Sequence, residues 1–186
     1  MIIPGEMLPG GVLLRLLSGD DAEALRSAYT ANREYLAPWE PRRPESFFTV
    51  EGQAARVAEQ LLNFSERRAV PWVIEGDGAV IGTITLSGLT FGPFRSAYLG
   101  YWVAADQQGR GLAGAAVASV CRAARDRVGL HRIEAATLLD NAASQRVLEK
   151  NGFEPIGMAP RYLHIDGEWR DHRMFQRILH DGPPEN

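Results

Sequence analysis

The residues Gly109-Arg110-Gly111-Leu112-Ala113-Gly114 stand immediately before a segment whose apolar positions 112, 116, 117, 120, 121 and 124 recur with helical period. Glycine lets a backbone come close to a ligand. A helix starting here aims unbonded N–H groups and the positive end of its dipole at whatever occupies the loop. The chemistry on offer is the binding of a phosphate or pyrophosphate, to which the Arg110 guanidinium can add charge. Two patterns overlap in the run. It is a literal G-x-G-x-x-G, with Glu134 twenty residues past Gly114, where a nicotinamide enzyme would hold ribose. That reading fails on spacing: Ala104 to Gln108 separate Gly109 from the preceding strand, and only about fifty residues remain after Glu134 for further parallel strands. Started from Gln108, the same residues read Q-x-x-G-x-A.

Other residues with chemical potential lie on both sides of the loop. Asn141 and Ser144 sit at the start of a second helix, where capping is their ordinary role. Glu134 and Glu40 are carboxylates that could take a proton. His172 follows Asp171, but adjacent strand residues point to opposite faces, which favours a structural histidine over a catalytic pair. The four histidines, at 131, 164, 172 and 180, show no metal-ligand spacing, and Cys121 is the only cysteine, so neither a protein metal site nor an intrachain disulfide is expected. Cys121 reads as a small buried hydrophobe.

Elements must be found to position these groups. With 186 residues, 45% of them hydrophobic, the chain can bury one sizeable core. A net charge of −3, with acids and bases mixed, gives no footprint for nucleic acid or for a membrane surface. No apolar run reaches the length of a membrane span, and Met1–Gly10 lacks the basic and apolar regions of a secretory signal, so the cytoplasm is expected. The excess of arginine over the single lysine, Lys150, carries no function by itself.

The pattern predicts a strand over 12–17, a capping turn at 18–21 and a helix over 22–29. Three prolines make 35–48 an ordered loop that exposes aromatics. A helix follows over 50–67. Strands 71–75 and 79–86 are joined through Gly76-Asp77-Gly78, a hairpin signal, and 97–103 continues the meander. After the glycine loop and its helix come a strand over 131–138, a helix ending at Lys150, and strands 153–165 and 168–178 joined by Asp166-Gly167. The sum is a mixed α/β sheet of about seven strands, antiparallel in its first half, with helices on both faces. It forms a single domain over 11–179 with flexible termini at 1–10 and 180–186. The hydrophobic strands near the C-terminus offer a homodimer surface.

Q-x-x-G-x-A at 108–113 resembles the pyrophosphate loop of the GCN5-related N-acetyltransferase (GNAT) superfamily. Asn141-Ala142-Ala143-Ser144, followed by Asn151-Gly152-Phe153, is similar to its N-x-x-S…GF segment. Trp39-Glu40-Pro41 and Tyr162 to His172 resemble the branch that contains the ribosomal-protein-alanine N-acetyltransferases. The resemblance implies the GNAT fold, with a splayed parallel pair in the middle of the sheet, and acetyl-coenzyme A as cofactor. It places Val103, Ala104, Gln108, Gly109, Arg110, Gly111, Leu112, Ala113, Asn141 and Ser144 at that cofactor, with unpaired N–H groups near Val103 and Ala104 facing the acetyl carbonyl. It places Tyr35, Trp39, Glu40 and Tyr162 at the acceptor, and Ser144, Glu134 and Asn141 in catalysis by direct attack of an amine on the thioester. The chain departs from the pattern in two ways. No tyrosine occurs between 102 and 161 to protonate the leaving thiolate, which passes that role to Ser144. Arg161-Tyr162-Leu163 stands where serine-type relatives carry a carboxylate, which leaves Glu134 as the first base and Glu40 as the second. A protein N-terminal α-amine is the expected acceptor, a small-molecule amine (antibiotic, polyamine or amino acid) the alternative, and a non-catalytic acyl-coenzyme A binder a third reading.

Overall fold

The computed structural model describes residues 2–183. Its strands are β1 (Glu6–Leu8), β2 (Val12–Leu16), β3 (Ala69–Gly76), β4 (Ala79–Thr90), β5 (Ser96–Val103), β6 (Arg132–Leu138), β7 (Glu154–Ile165) and β8 (Glu168–Ile178). Between them run α1 (Ala22–Ala31), α2 (Arg33–Leu36), α3 (Val50–Ser65), α4 (Leu112–Ala123) and α5 (Ala142–Lys150). One sheet holds all eight strands in the order β1-β2-β3-β4-β5-β6-β8-β7. Every neighbouring pair is antiparallel except β5 with β6.

Local chemistry accounts for the helix starts. Ser18 and Asp21 form a reciprocal capping box ahead of α1, with the Ser18 N–H donating to the Asp21 carboxylate at 2.7 Å. Thr49 caps α3 by accepting from the Gly52 N–H at 3.1 Å. At α4 the N-cap is Gly111, with φ of 76° and no capping side chain. The first N–H groups of that helix therefore have no side-chain partner at the cap.

Two apolar clusters sandwich the sheet. Ile84, Leu86, Leu99, Ile133 and Phe175 face Val117, Val120 and Leu148 from α4 and α5. On the opposite side Val73, Val80 and Trp102 face Leu25, Tyr29 and Val57 from α1 and α3. The parallel pair holds only over Ser96–Leu99 against Arg132–Ala135. Beyond it β5 stays with β4 as far as Val103, and β6 stays with β8 as far as Leu138, so the two strands part in mid-sheet. Gly82 keeps β4 tight against β5 there: a Cβ at that position would lie 2.4 Å from the Trp102 carbonyl oxygen.

Three expectations change. Residues 2–10 are not a loose terminus, because Glu6–Leu8 pairs with Val12–Leu14 and both Ile3 and Leu8 are buried. The strand count rises from about seven to eight accordingly. Three residues ending at Pro9-Gly10-Gly11 are too few to show alternation. Within 35–48, regular structure appears at both ends, as the last residues of α2 and a 3₁₀ turn at Glu45–Phe48. Phe47 is not displayed to solvent but packs edge-on against Tyr29, with ring centroids 4.8 Å apart. At the other terminus His180 is anchored, its carbonyl 2.7 Å from His131 Nδ1, while 184–186 lie outside the described residues.

Candidate functional site

Where β5 and β6 part, two adjoining cavities share a wall. The larger, about 650 Å³, runs along the N-terminal ends of α4 and α5. The smaller, about 190 Å³, is the split itself, bounded by Gly100, Tyr101, Ala136, Thr137 and Leu138 of the parted strands and by Trp39, Glu40 and His172 from outside. Tyr101, Trp102, Asn141 and Ser144 belong to both.

The larger cavity gathers most of the residues expected at a nucleotide-like ligand. Val103, Gln108, Gly109, Gly111, Leu112, Ala113, Asn141 and Ser144 line it, as do Tyr35 and Trp39 from the opposite wall. Gln108 and Tyr35 are hydrogen-bonded to each other there. Gly109 and Gly111 have φ of 74° and 76° with nothing near an added Cβ, so the left-handed backbone, not crowding, selects glycine at both. Arg146 and Lys150 of α5 also line this wall. With the uncapped start of α4 they make it a site for a polyanion. Neither was singled out from the sequence, because a basic residue on an exposed helix face is ordinarily just solvated.

Two groups expected at the cofactor are engaged within the chain. Ala104 N–H donates to the Ile81 carbonyl at 2.8 Å, so it is not free to face a ligand. Arg110 bonds Gln107 and reaches back over Gly10, where an added Cβ would lie 3.0 Å from its Nη2, and it is absent from the cavity wall.

Asn141 does the capping that its type suggests, its Oδ1 accepting from the Ser144 N–H at 3.0 Å. That bond fixes the first turn of α5 and with it the Ser144 side chain. The Ser144 hydroxyl lies 2.9 Å from the Tyr101 phenol oxygen. Burial pushes the Tyr101 phenol up to about 12, only partly opposed by the bond to Ser144, so the phenol keeps its proton. Tyr101 was missed from sequence. Its one advance signal is alternation along β5, which puts it on the face of Leu99 and Val103, toward α4 and α5.

Glu134 pairs with Arg132 opposite Tyr98, in the closed half of the β5–β6 pair, and lines neither cavity. Glu40 lines the split, with Arg43 Nη2 3.6 Å from its carboxylate. Burial raises its pKa, against the opposing pull of Arg43 and Arg56. Tyr162 lies beside the split and not in its wall, its ring 5.3 Å from that of His172. His172 is 4% exposed, and its Nδ1 is 3.0 Å from the Arg170 carbonyl, in keeping with a structural histidine. The Thr137 hydroxyl is buried in the wall without a hydrogen-bond partner.

Comparison with known proteins gives a consistent picture. A family model described as the acetyltransferase (GNAT) domain matches residues 12–154. The [ribosomal protein uS5]-alanine N-acetyltransferase of Escherichia coli (strain K12) is 34% identical over 177 residues, 93% of this chain and 90% of that protein. Among solved structures, the ribosomal-protein-S5-alanine acetyltransferase of Vibrio fischeri superposes with a TM-score of 0.93 at 32% identity, covering 98% of this chain and 100% of the other. Mycobacterium smegmatis RimJ, solved in complex with CoA-disulfide, gives a TM-score of 0.87 at 36% identity, over 91% and 82% of the two chains.

Proposed function

The chain belongs to the acetyltransferase (GNAT) domain family and is an N-acetyltransferase, and we propose that it moves the acetyl group of acetyl-coenzyme A to the α-amine at the N-terminus of a protein, with ribosomal proteins as the first class to test. The observation that carries this reading is the split: one opening leads to an anion-binding groove, the other to an aromatic and acidic acceptor face. Similarity to proteins named for acetylating ribosomal protein uS5 or S5 supports the acceptor class. We place the reaction in the cytoplasm.

The residues present fit the cofactor. The uncapped N–H groups at Gly111 to Ala113, the α4 dipole, Arg146 and Lys150 would hold its phosphates. Gly100 adds no side chain to the split, and nothing lies within 4 Å of where a Cβ would stand, which leaves room for two reactants. When bound, acetyl-coenzyme A supplies an activated thioester and a thiol leaving group.

Each proton has a residue in place. An N-terminal amine has a pKa of about 8 and is partly neutral at physiological pH. It enters between Trp39 and Glu40, and the Glu40 carboxylate takes its proton as the C–N bond forms, directly or through one water. This assigns the base to the second carboxylate, because Glu134 is tied to Arg132 outside the split. We assign Tyr101 as the donor in its 2.9 Å bond with Ser144 Oγ, which leaves the serine's own O–H to hydrogen-bond the departing thiolate.

The test is incubation with acetyl-coenzyme A and a peptide carrying N-terminal alanine and an internal lysine, read by fragmentation mass spectrometry. One acetyl on the α-amine is expected, and none when that amine is blocked. Acetyl on the lysine alone would overturn the acceptor assignment.

A further inference from the structure

Beside the split lies a third cavity of about 230 Å³ that shares Leu36, Glu40 and Pro41 with it. Arg33, Arg42 and Arg43 line this cavity. Two of these cations are held by aromatic rings: the Arg33 guanidinium lies 4.2 Å from the Phe48 ring centroid, and that of Arg43 lies 4.7 Å from Phe47. Behind the wall Arg56 stands over Tyr29 at 5.4 Å, and its Nη1 is buried without a hydrogen-bond partner.

Carboxylates do not saturate these cations. Glu45 pairs closely with Arg33. Asp166 and Glu40 each approach an arginine only to 3.6 Å, Arg42 and Arg43 respectively, which is longer than a hydrogen bond. The Asp166 carbonyl takes one weak bond from Arg42 at 3.4 Å. Of the three lining guanidiniums only that of Arg33 has a carboxylate within hydrogen-bond distance, Arg56 adds positive charge behind the wall, and the charge of Glu40 is lost once it has taken the amine's proton.

We propose that this cavity receives an acidic side chain from the residues that follow the acetylated α-amine, so that the preferred acceptors are N-termini with Glu or Asp at the second or third position. The inference rests on the α-amine reading above. Each extended residue spans about 3.3–3.6 Å. A chain whose amine sits in the split therefore brings its next side chains to the shared wall at Glu40 and Pro41.

The experiment compares three peptides with N-terminal alanine that carry Glu, Gln or Lys at both the second and third positions. The expected order of kcat/KM is Glu over Gln over Lys. The Glu peptide should lead the Gln peptide by roughly five- to tenfold, mostly through KM, with the advantage shrinking as salt is raised. Arg33→Gln and Arg42→Gln should each bring the Glu peptide toward the Gln value and leave the Gln peptide unchanged. Equal rates on Glu and Gln peptides, or a preference that survives both substitutions, would overturn the subsite while leaving α-amine acetylation standing. Transfer to none of the three, with coenzyme A still stabilising the fold, would overturn the acceptor reading and this inference with it.

Discussion

Ser144 and Tyr101 are the pair to which we assign the leaving-group side of the reaction, and they sit 43 positions apart in the chain. Tyr101→Phe keeps the ring and removes only the donor. If the phenol aims the serine hydroxyl, kcat falls by about tenfold, in line with loss of one hydrogen bond to a proton donor. KM for acetyl-coenzyme A stays where it was. Adding Tyr101→Phe to Ser144→Ala should then cost nothing further, and additive losses in steady-state kinetics would refute the coupling. Glu40 carries a pH signature. Only its ionised form can accept a proton, and burial raises its pKa, so kcat/KM climbs as pH rises through that raised value. Glu40→Gln should lower kcat/KM by about ten- to a hundredfold and abolish that limb, leaving only the rise near about 8 that belongs to the acceptor amine. A pH profile with the acid limb intact would exclude Glu40 as the base. At this scale the sequence was partly legible. Asn141 and Ser144 follow from their place at a helix start, because capping is local. The contact of Tyr101 with Ser144 and the placing of Glu40, not Glu134, in the wall of the split do not, because both depend on which side chains converge where strands separate.

Among the elements, the glycine loop and α4 were the most readable, since glycines in left-handed conformation and a 3.6-residue apolar period are local properties. At Gly111 the surroundings are open and only φ is demanding. Gly111→Ala should therefore cost about 1–2 kcal/mol of stability from the left-handed backbone alone, measured by denaturant unfolding, and should weaken coenzyme A binding by calorimetry. Gly82 is the opposite case, with ordinary φ and no room. An added Cβ would meet the Trp102 carbonyl at 2.4 Å, so Gly82→Ala must push β5 away from β4 beside the split. A loss of about 1–3 kcal/mol is expected, accompanied by a fall in kcat. A variant as stable and active as the parent would show that β5 is not held there by this contact. Neither β1 nor the turn at Glu45–Phe48 was legible in advance, because each is too short for periodicity, and the turn leans on Tyr29 of another helix.

In the whole molecule, the order of elements was legible almost throughout, because hairpin dipeptides, caps and apolar periods punctuate the chain regularly. The parting of β5 from β6 was implied by the family resemblance but was not written in either strand. Tyr98 to Val103 and Glu134 to Leu138 read as ordinary strands, and only the sheet order, with β4 holding one and β8 the other, opens the gap. That gap is where the groove and the proposed acceptor face meet, so acetyl transfer requires the two to be coupled there. The most direct measurement follows free thiol and acetylated α-amine in the same reaction with acetyl-coenzyme A and an N-terminal alanine peptide. One thiol released for each acetylated α-amine, with both slowed together in Glu40→Gln and Ser144→Ala, is the predicted result. Thiol released without an acetylated amine, or no thiol released with any amine, would contradict it.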